Sequence, residues 1–472
     1  MELINISNGV KLHALQTQKF KTVTVCLLIR RKLTRAEATL NALLPGVLRR
    51  GCEKFNTLTK INRELEGMYG AVFDADVVKK GEEQIIQFFM EFVNAGEPEI
   101  NGTSAGKIPA DKAPKAEYSP AEPPQSAERR ALSFLAEILQ NPLTENGGFR
   151  ADIVSSEAEN LKTAIEGRLN NKAEYAKLKC VEIMCENEAF GIYGDGYAED
   201  LPGITPVKLF WHYKRVLKES PAEFIIIGNI DTKKTAALIK ELFTDLAERE
   251  NILKVPKTLP SLPREQIKAR PALPAHVRTR PPLTSRGHIK TVTEEFNVSQ
   301  GKICIGLKSG MPATGAPFYS LTLLNEILGG SANSRLFVNI REKKSLCYSI
   351  FSYFYRFKGI ILIHCGADSD KLEEIFALCE KELSSLANKK VSEKELSFAK
   401  KSLAKKISAL NDSPAQTADF YLSQYLQNDK VPLTCFARNL EKVTAREIKE
   451  TAAALVVDTV YMLTGSGYGK EA

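Results

Sequence analysis

Residues 22–30 (TVTVCLLIR) form an apolar, β-branched run, and this pattern predicts a strand. From 36 to 50 the apolar positions recur at helical spacing and stop at Gly51, a helix-end residue. A second helix is expected over 57–68, with Thr57 or Thr59 as its cap, followed by strands at 71–78 and 84–94. A long helical region at about 128–141 and 150–188 leads to a buried strand at 223–228 and an amphipathic helix at 232–248. Further on, strands at 293–298 and 302–308 precede helices at 316–328 and 334–344 and strands at 347–355 and 359–366. Four helices are expected within 368–455, then a closing strand at 459–464.

Two stretches break the pattern. Residues 95–127 are dense in Ala, Pro, Gly, Ser and Glu with few large apolar side chains, the composition of a flexible surface insertion. Residues 251–290 hold seven prolines and nine Lys or Arg against one acidic residue, Glu265, and read as an extended interdomain linker. They separate a first domain, 1–250, from a second, 291–472.

The two halves repeat each other. A shift of 278 residues lays Cys26-Leu27-Leu28-Ile29-Arg30 on Cys304-Ile305-Gly306-Leu307-Lys308. In the same ungapped register Gly51 falls on Gly329, Arg63-Glu64 on Arg341-Glu342, and Met68 on Leu346. The shared strand–helix–helix–strand–strand order points to a duplicated α+β domain, a mostly antiparallel sheet with helices on one face.

Composition narrows the function classes. Hydrophobic residues at 43% with 26% charged residues exclude whole-chain disorder, and the net charge of +8 is mild for 472 residues. The basic linker is broken by prolines and lacks interleaved aromatics, so it reads as a solvated tether and no nucleic-acid partner is expected. No apolar run is long enough to cross a membrane, and Met1-Glu2-Leu3-Ile4-Asn5 does not read as a secretory signal. Nine scattered cysteines without a CxxC pair fit reduced thiols in the cytoplasm.

Metal and nucleophile chemistry is sparse. The five histidines, His13, His212, His276, His288 and His364, include no pair at helical ligand spacing. There is no phosphate loop and no G-x-S-x-G elbow. Gly329-Gly330 follows a predicted helix and reads as a C-cap.

The segment Ser334-Arg335-Leu336-Phe337-Val338-Asn339-Ile340-Arg341-Glu342-Lys343-Lys344-Ser345-Leu346-Cys347-Tyr348-Ser349 is more specific. It resembles the second-domain signature of the M16 (pitrilysin/insulinase) metallopeptidases, in which a helix reading SRLF…IRE…G-L-x-Y leads into a strand. Gly329-Gly330 before it, EFIIIGNID at 223–231 and Asn141-Pro142-Leu143 extend the resemblance over the chain. It implies two tandem homologous domains forming a clamshell. The family's zinc motif, an inverted H-x-x-E-H, falls on Ala42, Pro45 and Gly46 when Gly51 is the anchor. The family's downstream Glu falls near Ala164, with Glu166 two residues on. The three motif positions cannot hold zinc or activate water, and no histidine lies between His13 and His212. No cofactor is expected, and the chain alone is expected not to be an enzyme.

The family's second domain also supplies an Arg and a Tyr seven residues apart that bind substrate backbone near the zinc. Arg341 and Tyr348 keep this spacing. Guanidinium and phenol can both donate to a carbonyl oxygen that becomes negative during attack. A structural reading of the same pair is an exposed helix-end ion pair and a half-buried strand tyrosine.

A lost zinc motif beside a retained Arg/Tyr pair resembles the non-catalytic subunit of two-chain M16 peptidases. The resemblance is greatest to the paired bacterial M16-like proteins associated with aminopentanol modification of elongation factor P. It implies a heterodimer with a zinc-bearing M16 homologue, acting on a peptide or unfolded polypeptide, in the cytoplasm and away from membranes. The alternatives are an autonomous peptide-binding protein and a scaffold with no part in proteolysis.

Overall fold

The computed structural model describes residues 1–94, 126–247, 277–279, 289–311, 314–389, 391–427, 429 and 431–465. The first half begins with β1 (Glu2–Ser7), β2 (Val10–Gln16) and β3 (Thr22–Lys32), then α1 (Ala38–Arg49), α2 (Leu58–Glu66), β4 (Val72–Lys80) and β5 (Glu83–Val93). Helix α3 (Ala127–Gln140), a small hairpin of β6 (Thr144–Glu145) and β7 (Gly148–Phe149), and helices α4 (Ala151–Glu166), α5 (Lys172–Met184) and α6 (Pro206–Glu219) lead to β8 (Ala222–Gly228). Helices α7 (Thr232–Leu242) and α8 (Thr244–Ala247) close it.

The second half contains β9 (Val277–Thr279), β10 (Lys290–Phe296), β11 (Gly301–Lys308) and α9 (Gly315–Leu328). A π-helical turn (Phe337–Glu342), β12 (Ser349–Tyr355) and β13 (Ile360–Ala367) come next. Then follow α10 (Leu372–Asn388), α11 (Glu393–Leu410), α12 (Pro414–Leu426), α13 (Leu433–Lys442), α14 (Ala445–Ala454) and β14 (Val456–Gly465).

The sheets have one topology. Their strand orders are β1-β2-β8-β3-β5-β4 and, read in the same sense, β9-β10-β14-β11-β13-β12. Each contains a single parallel pair, β2 with β8 and β10 with β14. Cys26 sits between Phe89 and Ile225, and Cys304 sits between His364 and Tyr461, so the 278-residue shift joins equivalent central positions. The duplicated α+β domain expected from sequence is the fold the chain adopts.

Each sheet has its own helices on one face. Its other face is covered by a helix lent by the other half. Helix α5 packs Ala176, Cys180 and Met184 onto Cys304, Leu362 and Tyr461 of the second sheet. In return α12 packs Ala418 and Leu422 onto Cys26, Leu28, Ile225 and Ile227 of the first. This exchange explains why the central strands read as continuous apolar runs: a strand covered on both faces has no solvent side to mark with polar residues. Gly306 permits the closest approach, since a Cβ there would stand 2.5 Å from Met184 Sδ. Polar contacts supplement the exchange. Lys358 bridges Glu82 at 2.6 Å and Glu188 at 2.5 Å, and the Tyr425 ring packs edge-on at 4.3 Å from His13.

Several local expectations change. Among the described residues five helices, not four, occupy 368–455, because Ser392, Ser413 and Thr444 each cap a new start. The 150–188 region is split after Glu166 by a short 3₁₀ turn, and Asn171 caps α5. Helix α6 and strand β1 went unread in the sequence pattern. Thr57, not Thr59, caps α2. Within the stretch read as a linker, β9 pairs antiparallel with β10, and Lys290 already belongs to β10. Residues 95–125, the body of the expected insertion, and most of 251–290 lie outside the described residues. Ser126 and Ala127, placed in that insertion by composition, are the cap and first residue of α3. Among the described residues no helix is long and apolar enough to cross a membrane.

Candidate functional site

Helix α1 carries the positions on which the zinc motif falls. Ala42 is half-buried, Pro45 is buried inside the helix, and Gly46 is half-buried. Pro45 removes one helical N–H, and the other two offer only a methyl group and a bare backbone. None supplies a donor atom. Directly opposite, on α4, lies Glu157, which is 7% exposed. A Cβ at Gly46 would stand 2.9 Å from Glu157 Oε2. Arg50, one turn on from Gly46, brings Nη1 to 3.5 Å from Glu157 Oε1, and Asn160 donates to the same oxygen at 3.2 Å. A guanidinium therefore supplies the positive charge this buried carboxylate needs.

Sequence reasoning missed Glu157. The available signal was its spacing: it lies seven residues before Ala164, two helical turns along the same face. Ala164 and Glu166 are both exposed near the end of α4.

The described histidines are committed elsewhere. His212, on α6, is drawn down to about 4 by burial, with Arg31 and Arg215 adding to the effect. Its neutral ring donates from Nε2 to Asn41 Oδ1 at 2.7 Å and accepts at Nδ1 from Arg215 at 3.2 Å. His13 is 2.7 Å from Glu223. His364 is buried in β13, where burial and the charges of Lys177 and Lys302 hold it near 4. His276 and His288 lie outside the described residues. Among the described residues no cluster of three His, Cys, Asp or Glu is placed to hold a metal. The residues here do not fit a zinc ion.

In the second half the Arg341 and Tyr348 positions are as expected along the chain, at the end of a helical segment and just before β12. The helical segment is a π turn, with Lys343 N–H donating to Val338 O at 3.0 Å. Ser345 closes the turn at φ +51, the left-handed region, and its N–H donates to Arg341 O at 3.1 Å. The family signature has Gly at this position.

Both side chains open onto solvent. Arg341 is 39% exposed along its side chain, lies 4.5 Å over the Phe337 ring, and is 3.7 Å from Glu342. Tyr348 is 57% exposed. Its hydroxyl donates to Asp368 Oδ1 at 3.0 Å, and this bond holds the phenol above its usual range. The Tyr348 proton is committed to Asp368, leaving its oxygen as an acceptor, while Arg341 keeps free donors. Neither side chain lines the cavities of about 600, 430 and 460 Å³ found in the two halves.

Comparison with known proteins agrees with this geometry. Residues 204–403 match the peptidase M16 inactive domain. Over 465 residues the chain is 26% identical to the probable inactive metalloprotease YmfF of Bacillus subtilis, with 98% of each chain covered. A stretch of 181 residues, 36% of this chain and 44% of the relative, is 29% identical to the uncharacterized zinc protease YmxG of the same organism. Among solved structures, a conserved protein of Enterococcus faecalis superposes with a TM-score of 0.79 at 22% identity, covering 98% of each chain. A peptidase M16 inactive domain from Pseudomonas fluorescens superposes at 0.72 with 18% identity and the same coverage. The chain thus has the two-domain M16 fold, carries over residues 204–403 a match to the peptidase M16 inactive domain, and is homologous from end to end to a probable inactive metalloprotease.

Proposed function

We propose that this chain is the non-catalytic subunit of a two-chain M16 peptidase, pairing with a zinc-bearing homologue and presenting Arg341 to the substrate. The observation that carries this reading is a combination. The zinc-motif face of α1 is closed by an Arg50–Glu157 pair, yet the Arg341/Tyr348 turn stands open to solvent instead of being absorbed into the core. A guanidinium with free donors stabilises a carbonyl oxygen as it becomes negative, and does so most strongly where a partner excludes water. Tyr348 and Asp368 flank that position and accept from substrate N–H groups. The substrate class is a peptide or unfolded polypeptide, and the place of action is the cytoplasm. The link to elongation factor P modification belongs to the same proposal and rests on the sequence resemblance.

The test is co-expression with an H-x-x-E-H-bearing M16 homologue from the same genome, followed by size measurement and a peptide-cleavage assay. A stable mixed complex with turnover above that of the homologue alone is expected. Absence of a complex, or turnover indifferent to this chain, would leave the scaffold or autonomous binding readings.

A further inference from the structure

The second half holds a cavity of about 460 Å³ between α9, β12, α11 and parts of α12 and α13. That volume lies within the range of about 300–1,000 Å³ occupied by small-molecule sites. Its wall is largely aromatic and aliphatic, including Phe318, Phe354, Phe420, Phe436, Ile407 and Leu410.

Two polar groups in this wall lack the partners their chemistry calls for. The first is Arg356, just past β12. Its Nε and Nη2 both donate to the neutral oxygen of Gln427, at 3.2 and 2.9 Å, and its guanidinium lies 5.1 Å over the Phe318 ring. Among the described residues no carboxylate comes within 4.0 Å of it. Burial lowers its affinity for the proton to about 10, against the distant pull of Asp419 and Asp429. The second is Asn325 on α9, whose Oδ1 is buried without a hydrogen-bond partner. The remaining charges of the wall are satisfied. Glu326 is held by Lys406 at 2.7 Å and by Ser402 at 2.6 Å. A half-buried cation facing only a neutral acceptor favours an anion, and an orphaned carbonyl favours a donor.

We propose that this cavity binds an apolar amino-acid unit with a free carboxylate, either the C-terminal residue of a peptide or an N-acylated amino acid. The carboxylate meets Arg356, the amide N–H meets Asn325 Oδ1, and the side chain lies against Phe318, Phe354 and Phe436. A guanidinium suits this role because it pairs with a carboxylate through two parallel donors. Neither Arg341 nor Tyr348 lines the cavity, so the proposal does not rest on pairing with a zinc-bearing partner.

Calorimetric titration of the full chain with three probes tests it: N-acetylphenylalanine, its carboxamide, and 3-phenylpropanoate. The acid of this size should bind with Kd on the order of 1 mM. The carboxamide should bind about tenfold more weakly or worse, through loss of the charge-assisted pair. The propanoate, which has no N–H for Asn325, should fall between the two. R356Q should abolish the preference for acid over amide, and R356K should keep part of it. Equal binding of acid and amide by the unaltered chain, or no binding of the acid at about 10 mM, would overturn the site. So would an R356Q chain that keeps the preference. If R356Q does not fold, the acid–amide comparison on the unaltered chain still decides. Propanoate binding as tight as that of the acetylated acid would overturn the role of Asn325.

Discussion

The guanidinium of Arg50 lies 3.5 Å from a carboxylate oxygen of Glu157, across the face of α1 on which a zinc motif would fall. Glu157 is nearly inaccessible, so removing Arg50 leaves a buried carboxylate with Asn160 as its one side-chain donor among the described residues. Arg50→Gln should therefore destabilise the chain by about 1–3 kcal/mol. Combining it with Glu157→Gln should cost less than the sum of the single changes. Urea denaturation of the four proteins measures this. Strict additivity would show that the two residues do not act as a pair.

Ser345 adopts φ +51 where the family signature has glycine. The left-handed region costs a residue with a Cβ about 1–2 kcal/mol, part of which glycine gives back as backbone entropy. Ser345→Gly should stabilise the chain by about 0.5–1 kcal/mol. A lower denaturation midpoint would mean that the serine side chain makes a compensating contact.

Arg341→Ala and Tyr348→Phe should each change stability by less than about 0.5 kcal/mol, because both side chains are open to solvent. In a mixed peptidase, Arg341→Ala should lower turnover roughly a hundredfold, the usual effect of losing one transition-state donor. Tyr348→Phe should have the smaller effect, since its proton already belongs to Asp368. Melting temperature and turnover on the same samples separate these effects. Loss of stability with turnover per folded complex intact would make the pair structural.

Stability should fall as pH drops from about 6.5 towards 4. His212 and His364 are both held near 4 in the folded chain, while unfolding returns them to about 6.5. In that window the unfolded chain binds more protons, so stability rises with pH. Glu223 works in the same direction lower down. Although buried, it is kept below its usual 4.5 by His13 and Arg30, and its contribution is lost as pH falls past that value. Denaturation midpoints should show a positive slope between pH 4.5 and 6.5, and His212→Gln should flatten it. An unchanged slope in that variant would remove His212 from the account.

The cysteines give a simple check on packing. Cys26 and Cys185 are pushed up to about 12 by burial, whereas Cys435 alone of the nine is half-exposed. Thiol reagents should label Cys435 first in the native chain and the remainder only on unfolding. Fast labelling of Cys180 or Cys304 would mean that the α5 exchange opens readily.

Much of this protein was legible before any coordinates. The 278-residue repeat followed from strand and helix patterns that local physics imposes: apolar runs at β3 and β11 and helix stops at Gly51 and Gly329. The absence of metal donors at Ala42, Pro45 and Gly46 needed only residue chemistry. Other features arise from contacts between distant segments. The run at 22–30 marked a strand but not that its second face would be covered by Ala418 and Leu422. Nothing near Gly46 pointed to Glu157, more than a hundred residues away, because a side-chain contact between two helices leaves no local periodicity. The spacing of Arg341 and Tyr348 was visible along the chain, yet the commitment of the Tyr348 proton to Asp368 depends on how β12 lies against β13. Local pattern therefore determined the elements and the missing zinc ligands. Tertiary packing decided which buried charges have partners, because hydrogen bonds and ion pairs depend on distances that only the folded chain sets.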